Sequence, residues 1–393
     1  MKPTRWRLAA VVVCAALAAA FVWWRLGPGS GARWRPKNAA MYLDRREAEW
    51  ANWQPASRGN GTFCASCHTA VPYALARPVL RATLGETTPS AAERQLLDDV
   101  TRRVRNWNDN QLYYGGIADQ SRGTEAVINA LILSSRDSRT DQLSADTRAA
   151  FSHMWETQQT TGNDKGAWLW IQFDNEPWEA PDSLYYGACL AAAAVGMAPQ
   201  SYGAEPEIQE NLKSLRDYLT GESATQSPLN RLNLLWASTM LPGLLSAAEQ
   251  KAILDEAVAK QRPDGGWSLS SFMGTWRRED GTPLVADSDG YATGFVVYVM
   301  EQMGIPREDA RVQRGLSWLR RNQEIWEGQW LGHSPNRRRH NPFSMVARFM
   351  DDAATAYAVL ALTNQSRSSS HTAVVEQRRS PSDAFKTVPT VSR

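Results

Sequence analysis

The sequence predicts an all-α protein, an (α/α)6 toroid in which six amphipathic outer helices surround six more apolar inner ones. Three observations predict it. Amphipathic and nearly all-apolar helical periods alternate six times along the chain, and Gly-x-aromatic turns recur between the two members of a pair. Seventeen tryptophans among 393 residues are far above ordinary usage and call for a structural role that repeats. A content of 43% hydrophobic and 21% charged residues is that of a globular chain with a sizeable core.

The N-terminal segment, residues 1–30, reads as a signal anchor or a signal peptide. Lys2, Arg5 and Arg7 precede an uncharged run from Leu8 to Trp24, long for a signal-peptide core and at the short end for a membrane span. Ala18, Ala19 and Ala20 lie inside the apolar run and are followed by Phe21, Val22, Trp23 and Trp24, a poor setting for cleavage. The expectation is an uncleaved anchor in the inner membrane, residues 8–24, with the body exported to the periplasm or another extracytoplasmic compartment. Net charge is +2, from 43 basic and 41 acidic residues, which argues against a nucleic-acid partner.

The toroid domain is expected over residues 38–363. First helices start near Ala39, Ala91, Ala145, Glu207, Ala247 and Asp309, second helices near Thr69, Gly123, Asp182, Leu229, Asp289 and Asp351. The second set is apolar almost all round, as in "SLYYGACLAAAAVGM" and "GYATGFVVYVM", which is what burial on both sides requires. An open α-solenoid is the alternative arrangement of the same pairs. Residues 364–393 are polar and Ser-rich without apolar periodicity and read as a disordered tail.

The repeat is clearest in "RGLSWLRRNQEIWEGQW", Arg314 to Trp330, a helix followed by Gln323 and a turn from Gly328 to Trp330. Gln261 is followed by Gly265, Gly266 and Trp267; Trp155 and Gln159 by Gly166 and Trp168; Trp53 and Gln54 by Gly61 and Phe63. The Arg314–Trp330 segment resembles the QW motif of squalene-hopene cyclases and of the wider terpenoid cyclase and prenyltransferase toroid group, and "QRPDGGW" is a partial second copy. The resemblance implies Gln and Trp side chains tying the outer turns together around a central apolar cavity for an isoprenoid-like molecule.

It also implies a place for chemistry. Cyclases of this group protonate an alkene with an aspartic acid of an Asp-x-Asp-Asp motif, a carboxyl kept protonated by burial and a neighbouring carboxylate. Here "DSDG" keeps Asp287 and Asp289, and "FMDD" keeps Asp351 and Asp352. Asp182, Asp289 and Asp351 also stand where helix N-caps belong. Glu125 is a charge one residue inside an apolar helix, with Arg122 at hand to pair with it. The group's zinc prenyl transfer would draw its ligands from Cys64, Cys67 and His68.

Those last three residues form a signal of their own. "GTFCASCHTAV", Gly61 to Val71, contains C-x-x-C-H, the spacing of covalent c-type haem attachment. With four Cys and five His in the chain, chance would produce it roughly five times in ten thousand. The resemblance to c-type cytochromes, confined to residues 64–68, implies Cys64 and Cys67 as thioether anchors of haem c and His68 as an iron ligand. The motif occupies in the first repeat the place that the aspartates hold in the fifth and sixth. Its sixth iron ligand would come from the loop before the last inner helix, which carries His333, His340 and Met345, with Arg337, Arg338 and Arg339 for the propionates.

Three functions follow as expectations. The first is a membrane-anchored haem-c protein, working in electron transfer or as an oxidoreductase with a redox partner protein, near an isoprenoid-like ligand. The second is a cyclase-like enzyme using an aspartate acid without haem. The third is a non-catalytic binding toroid.

Overall fold

The computed structural model describes residues 34–109, 117–336, 341 and 344–364. The expected anchor at 8–24, the tail beyond 364, Arg337–Arg339 and His340 fall outside them. Among the described residues twelve α-helices alternate in character as expected. The amphipathic set comprises α1 (Pro36–Ala51), α3 (Ala91–Arg105), α5 (Ala145–Glu156), α7 (Gln209–Glu222), α9 (Ala247–Ala259) and α11 (Ala310–Asn322). Several have explicit start signals. Proline stands in the first turn of α1, Ser90 and Ser246 form capping boxes with Glu93 and Glu249, and Ser144 and Asp309 cap α5 and α11.

The apolar set comprises α2 (Ala70–Leu84), α4 (Ala118–Asp137), α6 (Ser183–Met197), α8 (Pro228–Ser238), α10 (Gly290–Gln302) and α12 (Phe349–Thr363). In α6 every residue from Tyr185 to Val195 is buried. Only α4 departs notably from its expected start, beginning at Ala118 rather than near Gly123. Gly123 is kept inside that helix by close packing, since a Cβ there would lie 2.2 Å from the Leu169 carbonyl oxygen. Strands β1 (Ser57–Arg58) and β2 (Thr62–Phe63) pair antiparallel between α1 and α2.

The apolar helices pack in sequence: α2 on α4, α4 on α6, α6 on α8, α8 on α10, α10 on α12, and α12 on α2. Each amphipathic helix lies on the apolar helix preceding it, and α1 lies on α12. The first and last described helices therefore meet along a seam. Among the described residues no helix is long and apolar enough to cross a membrane.

The tryptophans find their employment in three copies of one tie. Trp168, Trp267 and Trp330 are fully buried, and their indole N–H groups donate to carbonyls in the last turn of the preceding amphipathic helix: Met154 at 2.6 Å, Ala257 at 2.8 Å and Leu319 at 2.8 Å. The partner glutamines are Gln158, Gln261 and Gln323. Each donates to the turn glycine's carbonyl (Gly166, Gly265, Gly328) and to a backbone carbonyl at the start of another amphipathic helix: Asn211, Arg311 and Arg35. The first of these corrects the sequence reading, which names Gln159. In the first repeat Gln54 plays no such part, and the Phe63 N–H is held instead by Asp99 at 2.8 Å. The turn glycines have φ of +99, +95 and +91, a region that disfavours any side chain.

Gln323 is the copy at the seam, accepting from the Arg35 N–H at 2.7 Å and donating to the Arg35 carbonyl at 3.1 Å. Gln323→Ala is expected to cost about 1–3 kcal/mol, the range for stranding buried hydrogen-bonding groups, read as a lowered urea midpoint. The matching change at the exposed Gln313 serves as the near-neutral control.

Where the resemblance implies a central cavity, aromatic rings pack between the apolar helices. Tyr291 and Phe295 of α10 lie 5.2 and 4.7 Å from Tyr357 of α12, Trp236 of α8 lies 6.4 Å from Phe295, and Trp178 lies 6.0 Å from Tyr291. Tyr186 of α6 is buried among Tyr357, Tyr291 and Cys67.

Candidate functional site

The C-A-S-C-H segment is held by its own backbone and by α1. The Cys64 N–H donates to the Ala56 carbonyl at 2.9 Å, and the Cys64 carbonyl accepts from the Trp50 indole at 2.6 Å. Ser66, between the two cysteines, accepts from the N–H groups of Thr69 and Ala70 and so caps the entry to α2. These contacts present His68 at the start of α2, 2% exposed, with its ring stacked 3.4 Å from Phe349 and edge-on to Trp50 at 4.9 Å.

A chain of hydrogen bonds sets the imidazole's proton. His68 Nδ1 lies 2.9 Å from Thr69 Oγ1, and Thr69 Oγ1 lies 2.8 Å from Asp352 Oδ2. Asp352 also accepts from Tyr42 at 2.9 Å and from Arg46 at 2.7 and 3.0 Å. A carboxylate gripped by arginine only accepts, so the single hydroxyl proton of Thr69 goes to Asp352. At its other side Thr69 is then the acceptor, His68 carries its proton on Nδ1, and Nε2 keeps a free lone pair. Burial, with the nearby Arg46 charge, holds His68 well below its usual range and therefore neutral. A neutral imidazole with its other nitrogen anchored to a carboxylate relay is the arrangement that orients a metal-ligating histidine.

His68 and Cys64 line one cavity of about 270 Å³, open to solvent, with Trp50, Trp53, Phe173, Val346 and Phe349 as apolar walls. Glu179 and Asn175 add a polar corner, where the Asn175 amide donates to Glu179 at 3.1 Å. Burial pushes Glu179 up to about 7. Cys67 is fully buried and is not among the residues lining this cavity; Glu179 and Cys64, which do line it, are its electrostatic neighbours, and it in turn acts on Tyr186. Burial pushes the Cys64 thiol up to about 11 and Cys67 well above its usual range, so neither is a ready thiolate. Among the described residues no three His, Cys, Asp or Glu side chains gather as a metal-ion site, and the zinc arrangement of Cys64, Cys67 and His68 is not formed.

The donor set fits haem at two of the three motif residues: His68 offers an unprotonated nitrogen, and Cys64 stands on the same apolar wall. Cys67 fits in sequence and is fully buried near Cys64 and Glu179, off the cavity lining. The cavity is at the lower edge of ligand-sized pockets, suited to one edge of a planar group with the rest in solvent.

The aspartates divide by role. Asp289 accepts from the N–H groups of Ala292 at 2.9 Å and Leu269 at 2.6 Å, capping α10 and pinning the loop after Trp267. Asp351 accepts from the Gly332 N–H at 2.9 Å, the equivalent bond after Trp330, from within the first turn of α12 rather than as its cap. Burial pushes both up to about 7. Asp182 precedes α6 without a side-chain cap bond, and its carboxylate accepts from Asn230 at 3.2 Å. Asp287 is exposed beside His333, whose neighbours are Asp287 and Arg278 and not the His68 cavity. Glu125 pairs at 2.7 Å with Arg103, not with Arg122, which donates instead to the Trp107 carbonyl. Met345 reaches the site, but its sulfur accepts from Arg46 at 3.0 Å.

Arg46, Tyr42, Thr69, Trp50, Phe349 and Glu179 were not singled out from the sequence. One signal was present: Leu43, Arg46, Glu47 and Trp50 follow the spacing of a buried helical stripe, and two of the four are charged. Glu47 is 1% exposed, and neither of its carboxyl oxygens has a hydrogen-bond partner. Burial, with the nearby Asp352 and Asp99, pushes it up to about 8. Its folded-state pKa lies above its unfolded value, so its contribution to stability is present below about pH 4.5 and is lost as pH rises to about 8. Glu47→Gln is expected to flatten the fall in thermal midpoint between about pH 5 and pH 8. An unchanged slope would show that Glu47 is ionised throughout.

No protein-family model and no curated protein matches this chain.

Proposed function

We propose that the protein is an exported c-type haem protein built on a closed (α/α)6 toroid, anchored in the inner membrane by residues 8–24 and working in electron transfer or as an oxidoreductase. The packing of α12 on α2 and of α1 on α12, with the Gln323 tie to Arg35, supports the closed ring. The likeness to the QW repeats of the cyclase group supports the same architecture.

The observation that carries the haem reading is the relay from His68 through Thr69 to Asp352, which leaves Nε2 as a lone-pair donor on a cavity shared with Cys64. Cys64 and Cys67 would hold the group through thioethers and His68 would ligate its iron. When bound, the haem supplies one-electron chemistry. The chain's own residues set its surroundings: Trp50 and Phe349 fix the imidazole plane, the relay holds its Nδ1 proton, and Glu179 offers a buried proton site at the cavity edge. The raised pKa of Asp351, beside Asp352, is the observation on the side of the cyclase alternative; against it, Asp289 and Asp351 are engaged by backbone amides and Asp352 by Arg46.

The test is expression in a host with export and cytochrome c maturation, followed by denaturing electrophoresis and a haem stain. Haem is expected to stay with the polypeptide, and to be lost from the double variant Cys64→Ala, Cys67→Ala. A colourless wild-type band overturns the reading.

A further inference from the structure

We propose that the toroid body rests on the membrane surface through a patch formed by Met41 and Trp326 with the basic side chains around them. This deepens the proposed function and rests on its reading of residues 8–24 as an anchor. Among the described residues three large hydrophobic side chains stand exposed: Met41 at 70%, Trp326 at 84% and Leu331 at 55%.

The first two adjoin. On α1, Asn38 packs so closely on Gly328 that a Cβ there would lie 2.5 Å from the Asn38 carbonyl carbon, and Arg45 pairs with Glu327 at 2.9 Å. Met41 lies between Asn38 and Arg45 at helical spacing, on the same face, beside the turn that carries Trp326. Arg35, Lys37 and Arg45 are exposed at this end of α1, and the acids beside them are engaged, Glu327 by Arg45 and Glu324 by the Trp326 N–H. An indole that is apolar in its body and polar at one edge favours the headgroup region, and lysine and arginine are drawn to anionic lipid.

The occupant follows from where the anchor joins the body. The Arg35 N–H donates to Gln323 and its guanidinium to the Ile325 carbonyl, at 2.7 and 3.3 Å, so the chain enters the body against the loop that carries Trp326. From Trp24, the end of the apolar run, to Trp34 is ten residues, a reach of at most about 33–36 Å. A body tethered this closely at that corner brings the patch to the lipid before any other face.

The test uses the full chain with Cys14→Ser and Trp326→Cys, carrying an environment-sensitive fluorophore. It is reconstituted into vesicles of phosphatidylethanolamine and phosphatidylglycerol with brominated acyl chains. A second label goes at Lys213→Cys on α7, which packs on α6 away from the seam, and protein without an introduced cysteine gives the labelling background. The label at 326 is expected to shift to the blue and lose most of its emission to the brominated lipid, while the label at 213 does neither. Equal quenching at the two positions in protein that floats with the vesicles overturns the docking. A blue shift without quenching, lost on dilution, would also overturn it by assigning the patch to a second copy. Protein that fails to float removes the anchor reading instead.

Discussion

Asp352→Ala is expected to destabilise the protein by about 3–5 kcal/mol, the cost of removing one partner from a buried charge pair. Arg46 is 1% exposed, and its guanidinium makes two hydrogen bonds to Asp352. Burial pulls the Arg46 pKa down, and the charge and hydrogen bonds of Asp352 outweigh that and raise it. Without the carboxylate, the buried Arg46 charge, which cannot neutralise itself, keeps only the part-exposed Glu49 as an ionic partner, and Tyr42 and Thr69 lose their acceptor as well. The site is also a junction of α1, α2 and α12, so the effect falls on the seam between the first and last described helices. Urea denaturation measures it. The double variant Arg46→Met, Asp352→Leu should recover much of the loss, because an apolar pair of similar volume pays no desolvation cost. A loss below about 1 kcal/mol for Asp352→Ala would place the pair among solvent-screened ion pairs and sink the account.

The second large effect concerns the proposed haem. His68→Ala is expected to keep the covalent haem on a denaturing gel, since the thioethers do not need the imidazole, and to lose the absorption bands of an imidazole-ligated iron. Thr69→Val keeps His68 in place but removes the hydroxyl between Nδ1 and Asp352. The imidazole then loses the acceptor that makes it a stronger ligand, and the haem's reduction potential should rise, with added imidazole unable to restore it. An unchanged potential in Thr69→Val would mean that the relay only packs. A His68→Ala protein with wild-type spectra would remove His68 from the iron.

Much of the architecture was legible because it is written in local periods. The alternation of amphipathic and apolar helices, the serine and aspartate caps and the turn glycines each lie within a few residues of what they control, and the helices begin close to where those signals place them. The Trp and Gln ties were legible as a pattern, though the choice between Gln158 and Gln159 was not. Neighbouring residues at a helix end differ by about 100° in direction, and only the Asn211 carbonyl, 53 positions away, decides which is used. The aspartates were ambiguous for a similar reason. Asp351 and Asp352 are adjacent in sequence, yet one faces the loop after Trp330 and the other faces α1 and α2.

By itself the sequence determined that the chain is helical, that its apolar helices are buried on most sides, and that a C-x-x-C-H motif opens the first of them. Hydrophobic period and capping are properties of short segments, and they survive being read without neighbours. Only the tertiary structure decided what His68 is for. Its Nδ1 proton is set through Thr69 by an aspartate 283 positions beyond that threonine, and that aspartate is held by an arginine 306 positions before it. No period spans such distances; it takes the packing of α12 on α1 and α2 to bring the three together, and burial there to make their charges and hydrogen bonds count.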